Sequence, residues 1–506
     1  MRRALQRAAY GTALLCLAAL VALSGNSSKH RSEPSAPLPT YDASAFRDAD
    51  SAVAAAFAIP DDLRLLAPTD LCGNLHAAWN RDWQRVIGAL TLLLNQAARC
   101  EGAESPRLLL YPAYYNYGVA LERRGDLPAA LEAYRRALIV QPHGIEAAQA
   151  LRRHNAPVPL QAETCTAEEI AAAQLPEYVP QGKGDFVRLE SGRFVADGAP
   201  FVVRGVNYYP ARAPWRRFLT ESDLKIVARE LDLLAAAGVN TIRIFAWHAA
   251  LFQCIGNGIV PRPEGFARLD GTIRLAAERN MRVLLTLNDL PDLLVRPLYT
   301  DSEIADAQSL FIVTRYRAEP AILAFDLRNE GDIDYVRGYA RASDVIAWLN
   351  QLAPRIRAAA PNHLITAGWN EGSLATERAV DFLSFHHWRS AENLRARIHA
   401  LRAVSRKPIL LQELGYSARA TNPSALAEQA RKLEAALQVA EDADLLGWLL
   451  WTAFDFPTDA TCVPPACPSA DSAEHHFGLW TANYVPKPAV QVLERLARRQ
   501  PSPSKR

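Results

Sequence analysis

The sequence has 506 residues, of which 50% are hydrophobic and 22% are charged. This length exceeds that of one typical domain and predicts two or three units, and the composition is typical of a globular protein. The 56 basic and 54 acidic side chains nearly cancel. The charge balance therefore gives no reason to expect a nucleic-acid partner.

The N-terminus has the pattern of an export signal. Arg2, Arg3 and Arg7 precede an apolar run over residues 8–23, which small and polar residues follow. This is the order of a secretory signal, and the run is slightly short for a transmembrane helix of roughly 20 residues. We predict a cleaved signal over 1–24, with retention as a membrane anchor as the alternative. The protein is then periplasmic or extracellular, and it contacts a membrane only if this segment is retained.

Six cysteines remain after such a signal, and an even number in an exported chain permits disulfides. None of them has the CxxC spacing of a zinc site. Free buried thiols are the alternative for each pair. The expected pairs are Cys462 with Cys467, Cys72 with Cys100, and Cys165 with Cys254.

A helical region is predicted over 46–160, after a Ser-, Pro- and Ala-rich flexible linker over 25–45. In part of it, large and small residues alternate in the pattern Tyr114, Tyr117, Gly118, Leu121, Ala130, Tyr134, Ala137 and Pro142. This stretch resembles one tetratricopeptide unit of about 34 residues. One repeat cannot bury its own face, so we expect it to pack on neighbouring helices or on the following domain. A protein partner, such as polysaccharide synthesis or export machinery, is a further hypothesis.

Strand-like and helix-like segments alternate eight times over 186–499, after a Pro- and Gly-containing linker over 161–185 and before a short tail over 500–506. Apolar runs separated by amphipathic helices predict a parallel sheet, and eight units predict an α/β fold, the (β/α)8 TIM barrel. The predicted strands are Val202–Tyr208, Thr241–Trp247, Arg282–Asn288, Ile322–Arg328, Leu364–Gly368, Phe382–His387, Pro408–Glu413 and Gly447–Phe454.

Polar and aromatic residues gather where these strands end, which is where a (β/α)8 barrel has its active site. Two carboxylates, Glu330 after the fourth strand and Glu413 on the seventh, should face each other. Such a pair suits hydrolysis of a glycosidic bond, with one carboxyl protonated and the other ionised. Other side chains at this rim that could bind a sugar are Tyr208, Arg243, Trp247, Asn288, Asn329, His386, Trp388 and Trp451. For Asp289 and Asp455, loop capping and sugar binding are both open.

Specific segments resemble glycoside hydrolase clan A, and family 5, the cellulase/mannanase-like family, most closely. They are Phe325–Glu330, Lys407–Tyr416, Gly205–Tyr208 and Gly238–Phe245. The resemblance spans about 185–499. It implies Glu330 as acid/base and Glu413 as nucleophile. It also implies that Asn329 binds the sugar 2-hydroxyl and that Arg243 keeps Glu413 ionised and oriented.

The sequence departs from that family at two places. Asn288 stands where a histidine is common, and His386, His387 and Trp388 stand where the family has His-x-Tyr. The tyrosine normally hydrogen-bonds the nucleophile, so that contact is either absent or made by another residue. These differences bear on the substrate more than on the reaction class. Neither a metal nor an organic cofactor is implied.

The sequence therefore predicts an exported retaining glycosidase acting on a β-linked polysaccharide or oligosaccharide. One alternative is a catalytically silent carbohydrate-binding or scaffold protein of polysaccharide synthesis or export. Another is a transglycosylase, which shares the glycosyl–enzyme intermediate and differs in the acceptor.

Overall fold

The structure is a computed structural model that describes most of the chain after the N-terminal segment. The predicted signal, the 25–45 linker, the 500–506 tail and the Cys462–Cys467 pair lie outside the described residues. Within the described part, no helix is long and apolar enough to cross a membrane. The described residues are 57–498 except 97, 99, 101–105, 141–144, 155, 157–164, 255–257, 290–297, 300–301, 337–339 and 462–467.

The first part of the described chain is helical and has its own apolar core, which runs from Leu63 to Leu151. A Cβ atom at Gly118 would lie 2.5 Å from the Tyr134 ring, so the glycine allows two successive helices to pack closely. Gly125 makes the turn between them with a φ of +83°. The pairing is as expected, whereas the tetratricopeptide assignment stays a prediction. The α-helices described here are Pro68–Ala78, Trp83–Asn95, Pro106–Arg123, Leu127–Val140 and Ile145–Arg153.

The predicted (β/α)8 fold class is confirmed in the second part of the chain. Its strands are parallel and lie in one sheet, in which the first strand pairs with the second and the eighth. The sheet is buried on both sides, which explains why its strands are nearly continuous apolar runs. In chain order the barrel strands are Val203–Asn207, Thr241–Phe245, Arg282–Thr286, Ile322–Asp326, the split fifth strand Leu364–Thr366 and Gly368–Trp369, Leu383–His387, Ile409–Leu414 and Gly447–Leu450.

The fifth strand is split into two segments, and together they close the barrel. Its first segment, Leu364–Thr366, pairs with the fourth strand, and its second, Gly368–Trp369, pairs with the sixth. The sequence predicted one continuous strand here, and it predicted an eighth strand that is longer than the observed Gly447–Leu450. The strand order is unaffected by these differences.

Helices cover the outside of the barrel, and polar side chains cap several of them. Asn422 Oδ1, for example, accepts a hydrogen bond of 3.1 Å from the N–H of Ala425 at the start of one long helix. The longer helices are Leu224–Ala236, Pro263–Glu278, Glu303–Tyr316, Ala342–Ala359, Ala391–Val404, Pro423–Asp442 and Pro488–Arg498. The shorter ones are Ala167–Ala172, Phe218–Glu221, His248–Leu251, Gly331–Val336 and Thr458–Thr461.

A small antiparallel sheet precedes the barrel and covers its amino-terminal end. Its strands are Arg188–Glu190, Arg193–Ala196 and Ala199–Phe201. Phe194 is fully buried among residues at the start of several barrel strands, and its ring lies 5.1 Å from that of Phe382. This apolar contact closes the end of the barrel opposite the polar rim.

Two of the expected disulfides fall on described residues, and both are present. Cys72 is bonded to Cys100, and Cys165 is bonded to Cys254. The first bond links two parts of the helical region. The second joins the segment that precedes the barrel to the loop after the second barrel strand.

Candidate active site

The polar residues predicted at the strand ends form one cluster. Arg243, His386 and Glu413 lie on the second, sixth and seventh barrel strands, and Asn329 and Glu330 follow the fourth. Because parallel barrel strands run in one direction, their carboxyl ends meet at one mouth. The cluster therefore lies where a (β/α)8 barrel binds its substrate.

Arg243 is fully buried and is the centre of a hydrogen-bond network in this cluster. Its Nη1 donates to Glu413 Oε1 and, over 2.9 Å, to Asn207 Oδ1. Its Nη2 donates over 2.8 Å both to Asp326 Oδ2 and to Asn329 Oδ1. The guanidinium thus lies between two carboxylates, which offset the cost of burying its charge and are oriented by it.

Glu330 and Glu413 approach each other around His386. The His386 Nδ1 atom lies 2.9 Å from Glu330 Oε1 and 3.5 Å from Glu413 Oε2. One polar atom from each of these three side chains lies within 4.8 Å of the other two. Retaining glycosidases have their carboxyl groups about 5–5.5 Å apart, whereas inverting ones leave about 6.5–9.5 Å for a water molecule. The geometry here matches the retaining arrangement.

The two carboxylates lie in different environments. Glu413 is buried, and Glu330 is partly exposed. Burial raises the pKa of Glu413 to about 7, and the negative charge of Glu330 also raises it, whereas His386 and Arg243 lower it. Burial and Glu330 thus favour the protonated form of Glu413, and His386 and Arg243 favour its ionised form.

The same group of Glu330, His386 and Glu413 consists of residue types that ligate metal ions. Arg243 already donates a hydrogen bond to one Glu413 oxygen and places a positive charge beside it. That charge disfavours a second cation on the same carboxylate. We interpret the group as a carboxylate pair with a shared histidine.

The backbone at Glu330 has an uncommon conformation. Its φ of +49° lies in the left-handed region, which costs a non-glycine residue about 1 kcal/mol or more. The Glu330 N–H donates to the Gly368 carbonyl oxygen over 2.7 Å. Nearby, a buried ion pair of 2.8 Å between Arg328 and Asp334 holds the same turn. Strain of this kind persists where surrounding contacts enforce it, often at active sites.

The amide of Asn329 is held from two sides. Its Oδ1 accepts from Arg243, and its Nδ2 donates to Asp289 Oδ1 over 2.9 Å. An amide oxygen and an amide nitrogen cannot exchange these partners, so the two bonds fix its orientation. The sequence left loop capping and sugar binding open for Asp289, and its contact with Asn329 indicates a third role, which is support of the site.

Asp455 has a different position. Its Oδ1 accepts from the N–H of Gly478 over 2.9 Å and from Lys487 Nζ over 2.7 Å. These bonds tie the chain after the eighth strand to the segment that closes the barrel domain. These bonds match loop capping, which is one of the two roles that the sequence left open for Asp455.

Two of the predicted tryptophans are accessible at the mouth of the barrel. Trp451 is half-buried, packs edge-to-face against Phe245 and Tyr209, and donates from Nε1 to Glu474 Oε1 over 2.9 Å. Trp388 is 37% exposed. Aromatic faces of this kind can stack on the C–H faces of sugar rings.

Three other predicted substrate-binding residues are buried. Tyr208 is fully buried, and its hydroxyl donates to Glu230 over 2.7 Å. Asn288 is fully buried and donates to a backbone carbonyl oxygen over 2.9 Å. Trp247 is 7% exposed, and its indole N–H donates to the Tyr209 hydroxyl over 3.4 Å. These contacts hold the three side chains within the surrounding structure, away from the position proposed for the sugar.

Sequence reasoning gave no role in the site to Asn207, Asp326, Tyr209 or Glu474. Asp326 carried a signal, because it is the acidic residue in an otherwise apolar strand. Glu474 carried none, because the sequence does not define the path of the long loop that precedes it. The sequence left open whether another residue takes the place of the family's tyrosine beside the nucleophile, and in the structure His386 Nδ1 lies 3.5 Å from Glu413 Oε2.

The sequence of this chain is similar to those of known proteins. The family described as "Cellulase (glycosyl hydrolase family 5)" matches residues 196–453. A mannan endo-1,4-beta-mannosidase A from Podospora anserina is 26% identical over 298 residues, which cover 48% of this chain and 77% of the relative. A mannan endo-1,4-beta-mannosidase F from Aspergillus fumigatus is 28% identical over 38% of this chain and 48% of the relative. This chain thus spans about half the length of that second relative.

Solved structures also match the barrel. An exo-beta-1,4-mannosidase from Opitutaceae bacterium strain TAV5 has a TM-score of 0.53 and 22% identity, over 62% of this chain and 62% of that one. A GH5_18 from Streptomyces cattleya in complex with GlcNAc has a TM-score of 0.50 and 22% identity, over 60% of this chain and 82% of that one. At this identity the likeness concerns the fold alone.

Proposed function

Because the chain belongs to glycosyl hydrolase family 5, we propose that it is a retaining glycosidase that cleaves β-1,4-linked mannosides. The observation that carries the retaining mechanism is the close approach of Glu330 and Glu413 around His386. The substrate class comes from the curated relatives, which are named mannan endo-1,4-beta-mannosidases. The proposal leaves open whether cleavage is internal or terminal.

In the first proposed step, Glu330 donates its proton to the glycosidic oxygen while the Glu413 carboxylate attacks the anomeric carbon. The bond to the leaving oxygen breaks, and an ester bond to Glu413 forms. In the second step, Glu330 takes a proton from water, and the water oxygen attacks the anomeric carbon. The ester bond breaks and its electron pair returns to Glu413. Two displacements at one carbon retain its configuration.

Other residues of the cluster position these two groups. Arg243 directs the Glu413 oxygen that it contacts and favours its ionised form. We propose that Asn329, held by Arg243 and Asp289, meets the 2-hydroxyl of the sugar bound next to Glu413. Such a contact strengthens as charge develops at the anomeric carbon. Trp451 and Trp388 would supply the stacking surfaces.

Covalent labelling tests this proposal directly. The purified protein is treated with 2-deoxy-2-fluoro-mannosyl, -glucosyl and -galactosyl inactivators, and the adduct is located by mass spectrometry, with Glu413→Gln as the control. We expect one sugar adduct on the peptide that contains Glu413, and none in the control. An adduct on a different residue would overturn the nucleophile assignment. A product of inverted configuration, observed by NMR during hydrolysis of a β-mannoside, would overturn the retaining mechanism.

Transglycosylation follows the same first step and differs only in the acceptor that attacks the intermediate. Product analysis at high oligosaccharide concentration separates the two reactions, because transfer yields products longer than the substrate. The silent-scaffold alternative has less support, because both carboxylates that hydrolysis needs are present and lie close together around His386. Measurable turnover that Glu413→Gln abolishes would exclude it.

We also propose that the protein is exported and that its helical region either packs on the barrel domain or binds a protein partner. The Cys72–Cys100 and Cys165–Cys254 bonds support export, because disulfides persist in oxidising compartments. Cell fractionation with an antibody would test the location and would show whether the protein stays with the membrane. A cross-linking pull-down with the full chain that recovers no protein would count against the partner.

A further inference from the structure

A third carboxylate belongs to the environment of the catalytic pair. Glu474 lies on a short 3-10 helix, Ala473–His476, which follows the eighth barrel strand. Burial raises the pKa of Glu474, and the negative charge of Glu330 raises it further. The Glu474 and Glu330 carboxylates therefore interact electrostatically. No step proposed above uses this group.

The direct partner of Glu474 is the indole of Trp451. The Trp451 Nε1–H donates to Glu474 Oε1 over 2.9 Å. A carboxylate is a stronger acceptor for this N–H than a neutral oxygen would be. The indole also packs edge-to-face against Phe245 and Tyr209, at 6.3 and 6.5 Å between ring centres. The hydrogen bond from Nε1 is the directional contact among these, because its strength depends on the angle at the N–H.

The segment that carries Glu474 is itself anchored on both sides. The Ser417 hydroxyl donates to the Ala473 carbonyl oxygen over 2.9 Å, before Glu474. After it, the carbonyl oxygen of His476 accepts from the Ala418 N–H over 2.9 Å and from Lys487 Nζ over 3.1 Å. The Glu474 carboxylate is thus held by the fold in a defined position, unlike the carboxylate of a free surface residue.

We propose that Glu474 is a positioning residue for the glycosidase reaction, which holds the Trp451 indole in the plane on which a sugar ring stacks beside Glu330. This inference rests on the proposed function and names an element that the function needs. The loop after the eighth strand then takes part in substrate binding through this one hydrogen bond. Its removal should weaken substrate binding more than it slows the chemical step.

The test combines three single variants, one double variant and one control. Glu474→Ala removes the acceptor and the charge, Glu474→Gln keeps an acceptor oxygen without the charge, and Trp451→Phe removes the indole N–H. The double variant Glu474→Ala/Trp451→Phe completes a thermodynamic cycle. Asp471→Asn is the matched control, because Asp471 lies on the same segment, is exposed and contacts Arg419 and His476.

We expect Glu474→Ala to raise KM for a mannooligosaccharide roughly tenfold, since hydrogen bonds to charged groups have about that effect. The value of kcat should change much less, and Glu474→Gln should fall between the wild type and the alanine variant. The double variant should be no worse than Trp451→Phe alone. Asp471→Asn should stay within about twofold of the wild type, as expected for a surface ion pair.

Two results would overturn the inference. One is a Glu474→Ala variant with unchanged KM, and the other is a double variant whose losses are the product of the single ones. If Glu474→Ala does not fold, Glu474→Gln and Trp451→Phe with their double variant complete the same cycle. Calorimetric binding of the oligosaccharide in a Glu413→Gln background separates this inference from the proposed function. Binding that depends on Glu474, together with a wild-type protein that shows no turnover, would support the inference and contradict the function.

Discussion

Arg243 on the second barrel strand donates a hydrogen bond to Glu413 on the seventh, across the mouth of the barrel. The same guanidinium also binds Asp326, so one buried cation serves two buried carboxylates. Removing either partner of such a group leaves an uncompensated buried charge. The relationship explains how the buried Glu413 carboxylate can be ionised, because the guanidinium offsets the cost of burying its charge.

The first prediction concerns the pH dependence of the wild-type protein. The proposed mechanism needs Glu413 as a carboxylate, and burial raises its pKa to about 7. As the pH falls through about 7, Glu413 gains a proton and kcat/KM should fall about tenfold per pH unit. The measurement is kcat/KM between pH 5 and 9 on a soluble β-mannoside. An acidic limb with its midpoint near pH 4.5 would contradict the prediction.

The second prediction follows from the lowering effect of Arg243 on the pKa of Glu413. In Arg243→Lys the directional donor to Glu413 is lost, so that pKa should rise and the acidic limb should move to higher pH. A shift of one unit corresponds to about 1.4 kcal/mol. The pH profile of kcat/KM checks this, and thermal unfolding shows whether the variant is folded. A folded variant with an unchanged acidic limb would show that Arg243 does not tune Glu413.

The third prediction uses the contact between Asp289 and Asn329, which fixes the Asn329 amide. Asp289→Ala should lower kcat/KM roughly tenfold, the effect of about one hydrogen bond to a charged group. Asn329→Ala should cost more, because it removes the proposed contact with the sugar. If Asp289 acts through Asn329, the double variant should match Asn329→Ala. Losses that multiply would assign Asp289 an independent role.

The fourth prediction concerns Gly368, which lies below the catalytic pair. A Cβ atom at this position would lie 2.2 Å from Gln412 Oε1 and 3.0 Å from His386 Nε2. Gly368→Ala should therefore destabilise the fold by about 1–3 kcal/mol and lower activity by displacing His386. Thermal and denaturant unfolding measure the first effect. Gly73→Ala is the control, because a Cβ there meets nothing within 4 Å and the helix should gain about 1 kcal/mol.

The fifth prediction separates the roles of the two glutamates by chemical rescue. Glu330→Ala and Glu413→Ala should each lower kcat at least 10²- to 10⁴-fold on substrates with poor leaving groups. Azide needs no general base, so with an activated aryl β-mannoside it should restore turnover in both. Glu330→Ala should give the β-glycosyl azide and Glu413→Ala the α-anomer, as NMR can determine. Exchanged anomers would reverse the two assignments.

The fold class and the general location of the site could be predicted from local patterns. Apolar runs such as Ile322–Asp326 alternate with amphipathic helices. A nearly continuous apolar run is the pattern expected of a parallel strand that is buried on both faces. The positions of Glu330 and Glu413 at strand ends followed from counting these units. Both disulfides on described residues were also expected, although spacing alone does not define connectivity.

Directions of side chains were less predictable than their positions along the chain. Tyr208 and Tyr209 are adjacent, and only the second lies beside Asp289 and Trp451, whereas the first donates to Glu230. Both are fully buried, and adjacent residues of an extended segment point in opposite directions. A shift of one residue in the predicted strand end therefore exchanges a residue that contacts the site for one that contacts Glu230.

The sequence by itself determined the order of the eight units, the apolar strands and the residue types at their ends, because these depend on contacts between near neighbours in the chain. Only the tertiary structure decided which polar groups meet. Arg243 and Glu413 are 170 positions apart, and their hydrogen bond depends on the closure of the whole barrel. The same is true of Glu474, whose contact with Trp451 depends on how a long loop returns to the mouth. Loop paths follow from many weak contacts, so no local pattern encodes them.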